Sequence, residues 1–441
     1  YTSLNHLRNM AATKAEQENS KIPGSTSIET APSLDAPVVA QRVGPMEVLR
    51  IPDFRWMVFA SVFMVFGFEA RAAVQSWLSY NLTGSQAWVG IVNGVPSIAV
   101  IALSMVGGLA ADRFPKRDIL LVVRMAIVAM SFLTGYLIVS DLMTVWILLA
   151  LALAQGSIVA FGMPANQSFV VELVGRDKLM SATSMMQSSG MIGLIIGPAV
   201  TGIMIGAWGA GSVYFLVGGL GVIGVVMLMM VKNRSVHRSD DSKSAWGDIK
   251  DGLNFVRSDS VIRVLMLLNL LALFAGFIMP LIPVYAEDVF NVGGEGFGLM
   301  MAAFGTGGAL GTLVLVFTGD KVYKGLLMIS TGTLFGVLMI VFAFSREYYL
   351  SLVLLGLMGA TGLAYVITIS VLVQSHTPDE MRGRVMSLFG ISMQLFALGF
   401  LFSGLIAEAT SNEFALVVGG VGVAVPPLMA YMFSAELRGV S

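Results

Sequence analysis

The chain has 441 residues, of which 56% are apolar and 12% charged, with a mean hydropathy of +0.82 and a formal net charge of −1. So few charges spread over such long apolar runs exclude a water-soluble domain of this size, and the balanced charge leaves no basic excess for nucleic acid. There is no Cys, and His6, His237 and His376 all lie outside the apolar runs, which excludes a disulfide framework and a thiolate nucleophile and argues against a Cys or His metal site or a Ser–His hydrolase inside a membrane.

Residues 1–52 come first. They are rich in Ser, Thr, Ala, Glu and Pro without a sustained apolar period, and read as a disordered cytosolic tail. Tyr1 in place of an initiator Met is expected to mark a truncated start. The tail has no apolar signal-peptide core, so the first membrane helix is the expected targeting element. Twelve apolar runs follow, near 55–80, 87–111, 118–139, 144–166, 180–206, 211–231, 261–286, 296–318, 325–344, 349–375, 384–408 and 414–435. Each is long enough to span a hydrocarbon core of ~30 Å. They predict an all-α integral membrane protein with six helices in 53–231 and six in 261–436, then a short cytosolic tail at 437–441. The polar stretch 232–260 joins the halves. Trp246, Ile249, Leu253 and Val256 fall there at helical spacing, which predicts a short amphipathic helix at the cytosolic interface, with Phe255 off the stripe. Among the 26 Lys and Arg residues, Arg71 and Arg124 lie within runs and only Arg346 falls in an odd-to-even loop; the rest occupy the tails, the even-to-odd loops and their helix ends. That asymmetry predicts both termini in the cytosol and an inner (plasma) membrane protein.

The loop after the second run reads Gly107-Gly108-Leu109-Ala110-Ala111-Asp112-Arg113-Phe114-Pro115-Lys116-Arg117. Asp112 is placed to accept hydrogen bonds from cations or backbone N–H groups there, and the glycines to let the helix end approach a neighbour. The fifth run carries Gly193-Leu194-Ile195-Ile196-Gly197-Pro198-Ala199-Val200-Thr201-Gly202, where Pro198 removes a helical hydrogen bond. The halves echo one another. Arg176-Asp177-Lys178-Leu179-Met180-Ser181 returns as Arg382-Gly383-Arg384-Val385-Met386-Ser387, and Asp112-Arg113 as Asp320-Lys321, at nearly one offset. A duplicated six-helix unit is the pattern of transporters that rock two halves about a midplane site.

With Asn81-Leu82-Thr83-Gly84-Ser85, Pro164 through Leu179 and Thr377-Pro378-Asp379-Glu380-Met381-Arg382-Gly383-Arg384, these segments resemble the major facilitator superfamily over residues ~50–436, in the branch of enterobactin and drug exporters. The resemblance implies the major facilitator fold: twelve helices in two pseudo-symmetric six-helix bundles. It also implies a gating loop of Gly108, Asp112, Arg113, Lys116 and Arg117 with Arg124 behind it, and a fifth-helix motif of Gly193, Gly197, Pro198 and Gly202. The chain departs from the family pattern at Pro115 and Thr201, where Gly is usual. It departs again at Ala152, where many proton-coupled exporters carry Arg three residues before the Gln155-Gly156 pair.

Polar residues inside the runs are costly unless they face a cavity or a partner. Asn93, Gln155, Gln187, Asn269 and Gln394 are cavity candidates, with helix–helix hydrogen bonding as the equal alternative. Arg124 lies about six residues from the cytosolic end, where it braces the inner gate or snorkels. Glu69 and Arg71 lie deep in the first run, ~200° apart around the helix, and are the candidates for proton coupling. The 29 Met residues suit a pliable ligand surface or simple membrane filler. No Gly-x-x-x-x-Gly-Lys-Ser/Thr loop exists for a nucleotide-driven pump. The reading is a monomeric secondary transporter, not an enzyme, with no metal or cofactor. It is expected to export an amphipathic or apolar small molecule, drug-like or siderophore, in exchange for protons across the lipid bilayer. The alternatives are a lipid or lysophospholipid transporter of the same fold, or a transporter-like sensor.

Overall fold

The computed structural model describes residues 45–175, 178–232, 245–318 and 323–433; the side chains of a few further positions inside helices, Gln187 among them, lie outside the description. Arg176, Asp177, Asp320 and Lys321, on which the internal echo partly rests, lie outside it too. Among the described residues every regular element is helical, and eleven helices are long and apolar enough to cross a membrane.

The first half comprises α1 (Pro52–Thr83), α2 (Gln86–Arg113), α3 (Lys116–Val139), α4 (Val145–Val174) and α5 (Leu179–Met229). Local chemistry sets the turns between them. Gly84 ends α1 in the left-handed conformation, φ 62°, with its N–H donating to Tyr80 O, and the Ser85 hydroxyl accepts from Trp88 N to start α2. Asn81 through Ser85 is thus a helix–turn–helix joint. Pro115 precedes α3 at φ −57°, the value its ring fixes, so the departure from Gly costs this turn nothing.

The difference between twelve predicted runs and eleven counted helices lies in α5. Its 51 residues include one non-helical position, Gly209, at φ 77° and ψ 167°, a region open essentially to glycine alone. Contacts with α1 reverse there. Along the first limb Gly193 meets Val65 and Phe66, and Gly197 meets Glu69 and Ala70, so the chains run parallel. Along the second, Gly67 faces Val217 and Gly224 faces Ala60 and Phe63, so they run antiparallel. The limbs, of about 30 and about 20 residues, are each long enough to span.

The second half comprises α6 (Ala245–Ser258), α7 (Ser260–Asn269), an irregular helical stretch to Val289, α8 (Gly293–Thr318), α9 (Lys324–Ala343), α10 (Tyr348–His376), α11 (Asp379–Met393), α12 (Leu395–Ala409) and α13 (Asn412–Phe433). The predicted amphipathic helix forms as α6, but it leans on protein: Gly252 packs on Arg384 and Leu388 of α11, and Asp251 pairs with Arg384 at 3.5 Å. Phe255, off the predicted stripe, packs against the core while Leu253 is exposed; the Trp246 and Ile249 side chains lie outside the described residues. The seventh and eleventh runs, each expected as one span, are broken within that span. Pro280 and Pro283 interrupt the seventh, which passes through a 3₁₀ turn (Gly276–Leu281) and a π turn (Tyr285–Val289). Carbonyls in this run accept from neighbouring helices: Tyr365 donates to Leu268 O at 2.9 Å and Ser403 to Phe277 O at 2.7 Å. The eleventh breaks at Gln394, between α11 and α12.

The buried apolar side chains divide by level. At the Lys/Arg-poor end, one core draws on both halves and includes Trp77, Val89, Tyr214, Phe277, Phe297 and Leu416. Towards the basic end there are two cores. One holds Phe54, Leu120, Phe169 and Leu228 of the first half; the other holds Ile262, Leu265, Met328 and Leu372 of the second.

Candidate functional site

The contacts between halves are built from small residues and polar bridges at the Lys/Arg-poor end. Gly90 and Gly94 of α2 lie against the backbone of Phe400 and Leu401 on α12, and Gly404 lies against Gly90. Gly202 meets Gly298 of α8 so closely that a Cβ on either would overlap the other's Cα. Trp77 stacks near Phe297 with ring centroids 5.4 Å apart. The Tyr80 hydroxyl donates to Asp288. Glu408 accepts from the Ser85 hydroxyl at 2.9 Å and from Ala87 N at 3.3 Å, so a carboxylate of the second half caps the N-terminus of α2 in the first. The sequence singled out Ser85 and Gly202 within their motifs but not Tyr80, Asp288 or Glu408 as bridging groups; the polar partners are 208 to 323 residues apart.

The fifth-helix motif is divided between two neighbours. Gly193 and Gly197 seat the first limb of α5 on α1, with buried Pro198 beside them, whereas Gly202 faces the other half. Thr201, where the family pattern has Gly, is fully buried; its hydroxyl donates to Gly197 O at 2.8 Å and lies 3.2 Å from Ala70 O. The side chain here adds a polar tie to the α1 contact in place of an even closer backbone approach.

The predicted gating loop comes apart into two groups. Gly108 faces open space, and Asp112 and Arg113 are exposed. Among the described residues Asp112 accepts no hydrogen bond and no ion pair, contrary to the sequence expectation. The anchoring comes from the other two residues of the expected gating loop. Lys116 and Arg117 are each 7% exposed. Lys116 Nζ lies 3.5 Å from the Glu172 carboxylate of α4, and Arg117 donates to Met229 O at the end of α5 at 2.7 Å. Arg124 does not snorkel: it is 3% exposed and its guanidinium reaches Gly224 O of α5 at 3.5 Å.

The in-membrane polar residues form one network and several outliers. Arg71 donates to Gln75 Oε1 at 2.7 Å. Gln75 donates in turn to Val92 O at 3.1 Å and to Asn93 Oδ1 at 3.3 Å. Gln155, Tyr214, Ser131 and Thr134 join Arg71 and Gln75 around a pocket of about 10 Å³ between α1, α3, α4 and the second limb of α5. Gln75, the hub, was missed, although its spacing of four from Arg71 on one helix face was legible. Tyr214 carried no sequence signal. Glu69 stands apart: half-buried, with its Cβ against Gly197, and with no ion pair or hydrogen bond among the described residues. Asn269 is fully buried in the other half, where its amide donates to Ser392 and to Phe389 O. That is the helix–helix alternative for this residue. Gln394 sits half-buried at the α11–α12 break, and the Gln187 side chain lies outside the described residues.

A family described as transmembrane secretion effector matches residues 43–438. The multidrug efflux pump Tap of Mycolicibacterium fortuitum is 25% identical over 348 residues, covering 76% of this chain and 84% of that protein. The enterobactin exporter EntS of Citrobacter koseri is 25% identical over 372 residues, covering 82% and 84%. Among solved structures, a D-xylose–proton symporter superposes with a TM-score of 0.70 at 16% identity, covering 88% of this chain and 98% of the other.

Proposed function

We propose, from the premise that the chain belongs to the transmembrane secretion effector family of the major facilitator superfamily, that it is a secondary transporter exporting an amphipathic or apolar small molecule in exchange for protons. The family and its relatives are membrane transporters rather than enzymes, and the chain is a multi-pass membrane protein. Relatives named for drug efflux and enterobactin export support the direction and the substrate class. The structural observation that carries the reading is the division of the buried core: one shared at the Lys/Arg-poor end, two separate at the basic end. Two halves that share a core at one end and keep separate cores at the other, among the described residues, are suited to rocking about a central site. In this reading 53–231 and 261–436 are the moving halves, 232–260 tethers them, and the basic end faces the cytosol. The loop from Gly108 to Arg117 then belongs to the inner gate. Its ties to α4 and α5 are the Lys116–Glu172 and Arg117–Met229 contacts.

Glu69 is the carboxylate best placed to carry the proton, because it lies deep in α1 beside the Gly197 contact and has no fixed partner among the described residues. An acid deep in one moving half meets different surroundings as the passage opens to one side or the other, and changed surroundings shift its proton affinity. The test is uptake of an amphipathic dye or a catecholate siderophore into inside-out proteoliposomes with an imposed pH gradient. Gradient-driven uptake is expected for the parent protein. Glu69→Gln is expected to abolish it while leaving substrate exchange at equal pH intact. Uptake indifferent to the gradient rejects proton exchange, and no uptake of any compound in the panel rejects the substrate class.

A further inference from the structure

We propose that the pocket between Arg71, Gln155 and Tyr214 is a binding site for one halide-sized monovalent anion, held inside the first half and apart from the passage between the halves. The groups left without a partner around it can all donate, although Gln155 and Tyr214 can accept as well. Arg71 carries five N–H donors. It spends one Nη on Gln75 Oε1 and makes no ion pair among the described residues. The Tyr214 hydroxyl is buried without a partner. Gln155 is 8% exposed, and its amide makes no hydrogen bond among the described residues. Ser131 and Thr134 already donate to Ile127 O and Met130 O of their own helix. Gln75 has spent its amide hydrogens on Val92 O and Asn93 Oδ1. Three donors from three helices therefore converge on one space, and no carboxylate lines it.

Charge sharpens the assignment. A guanidinium at membrane depth is costly unless a cavity, polar partners or a counter-charge receive it. The nearest acid in sequence, Glu69, attracts Arg71 from a distance, but it sits at the Gly197 contact and makes no direct ion pair with Arg71 among the described residues. The Phe68 ring, 5.3 Å from the guanidinium carbon, gives a cation–π contact, which falls well short of a full counter-charge. A pocket of about 10 Å³ is the scale of one water-sized occupant. A water there accepts two hydrogen bonds and brings no charge; a halide accepts from all three donors and neutralises Arg71. Chloride is the abundant ion of this class. Bound there, it ties α1 to α4 and to the second limb of α5, and so stiffens the first half as one body.

The test reads stability and site occupancy, so its outcome is independent of whether any compound is transported. The full chain, purified in detergent, is heated in a sodium chloride series balanced with sodium gluconate at constant ionic strength. The unfolding midpoint is expected to rise and saturate with chloride, bromide to substitute, and acetate not to. Tyr214→Phe and Gln155→Leu each remove one donor and are expected to raise the half-saturating chloride concentration about tenfold. Arg71→Gln is expected to abolish the response; if that variant does not fold, the other two carry the test. Bromide-soaked crystals should show an anomalous peak between Arg71 and Tyr214. A midpoint indifferent to chloride, an acetate response equal to that of chloride, unchanged half-saturation in both donor variants, or an ordered water without anomalous signal would each overturn the proposal.

Discussion

At the scale of single residues, the charges that matter most to the basic end are the two that left the water. Lys116 and Glu172 form a pair with both side chains less than one-tenth exposed. Removing one partner of such a pair strands the other charge in a low-dielectric setting, whereas removing both restores an apolar contact. Glu172→Leu, which leaves Lys116 buried without this carboxylate, is therefore expected to lower stability by about 3 kcal/mol, the scale found for broken buried pairs. Adding Lys116→Met should recover much of that loss. Thermal or denaturant unfolding of the three variants in detergent measures it, and strictly additive losses would show the two residues to be uncoupled. The sequence marked Lys116 as a basic loop residue and Asp112 as the acceptor. The fold exposes Asp112 and buries Lys116, because the carboxylate that Lys116 meets belongs to α4, 56 residues further on. Arg71 and Gln75 are the opposite case: a spacing of four on one helix is local, so that contact was there to be read.

At the scale of elements, α5 shows what a local pattern can and cannot specify. Gly193, Gly197 and Gly202 advertise close packing, and all three are indeed at helix contacts. Which helix each one touches is a matter of how α5 lies in the bundle, and Gly202 turns out to face the other half. A Cβ at Gly197 would lie 3.0 Å from Glu69 Cβ and 3.2 Å from both Ala70 N and Phe66 O. Leucine cannot be accommodated there without separating α1 from α5. Gly197→Leu is expected to leave the protein in the membrane and to stop transport, with a stability loss of about 1–3 kcal/mol from overpacking. Membrane abundance and dye uptake measured side by side decide the point; normal turnover would make the contact incidental. The hairpin at Gly209 was legible as two runs, because apolar length alone demands two crossings. The breaks in the seventh and eleventh runs were not. The break in the seventh persists because side chains from other helices, Tyr365 and Ser403, reach its carbonyls.

At the scale of the whole molecule, orientation and closure are separate questions. The absence of native Cys makes orientation accessible to single-cysteine labelling. Ser345 is buried and bonded to Ser351, so Glu347, exposed beside it, is the better reporter of the Lys/Arg-poor end, with exposed Ser258 for the basic end. An impermeant maleimide is expected to label Glu347→Cys in sealed cells and Ser258→Cys only after lysis. The reverse pattern would invert the topology. Closure at the Lys/Arg-poor end rests on Gly202 against Gly298, on α2 against α12, and on the carboxylates of Asp288 and Glu408 reaching across.

By itself the sequence determined that this chain is an all-α membrane protein of the major facilitator superfamily. Those properties follow from quantities that add along the chain: apolar length, the spacing of breaks, the bias of Lys and Arg, and motifs confined to a few consecutive residues. Only the tertiary structure decided which polar groups meet. The Arg71–Gln155–Tyr214 pocket, the Lys116–Glu172 pair and the Glu408 cap on α2 each join residues brought together by helix packing. Bilayer insertion constrains each helix almost independently, through the cost of its own polar groups in hydrocarbon. Pairing between helices is set afterwards, by backbone approach at small residues and by hydrogen bonds, and a single sequence records the residues for both without recording which of them face each other.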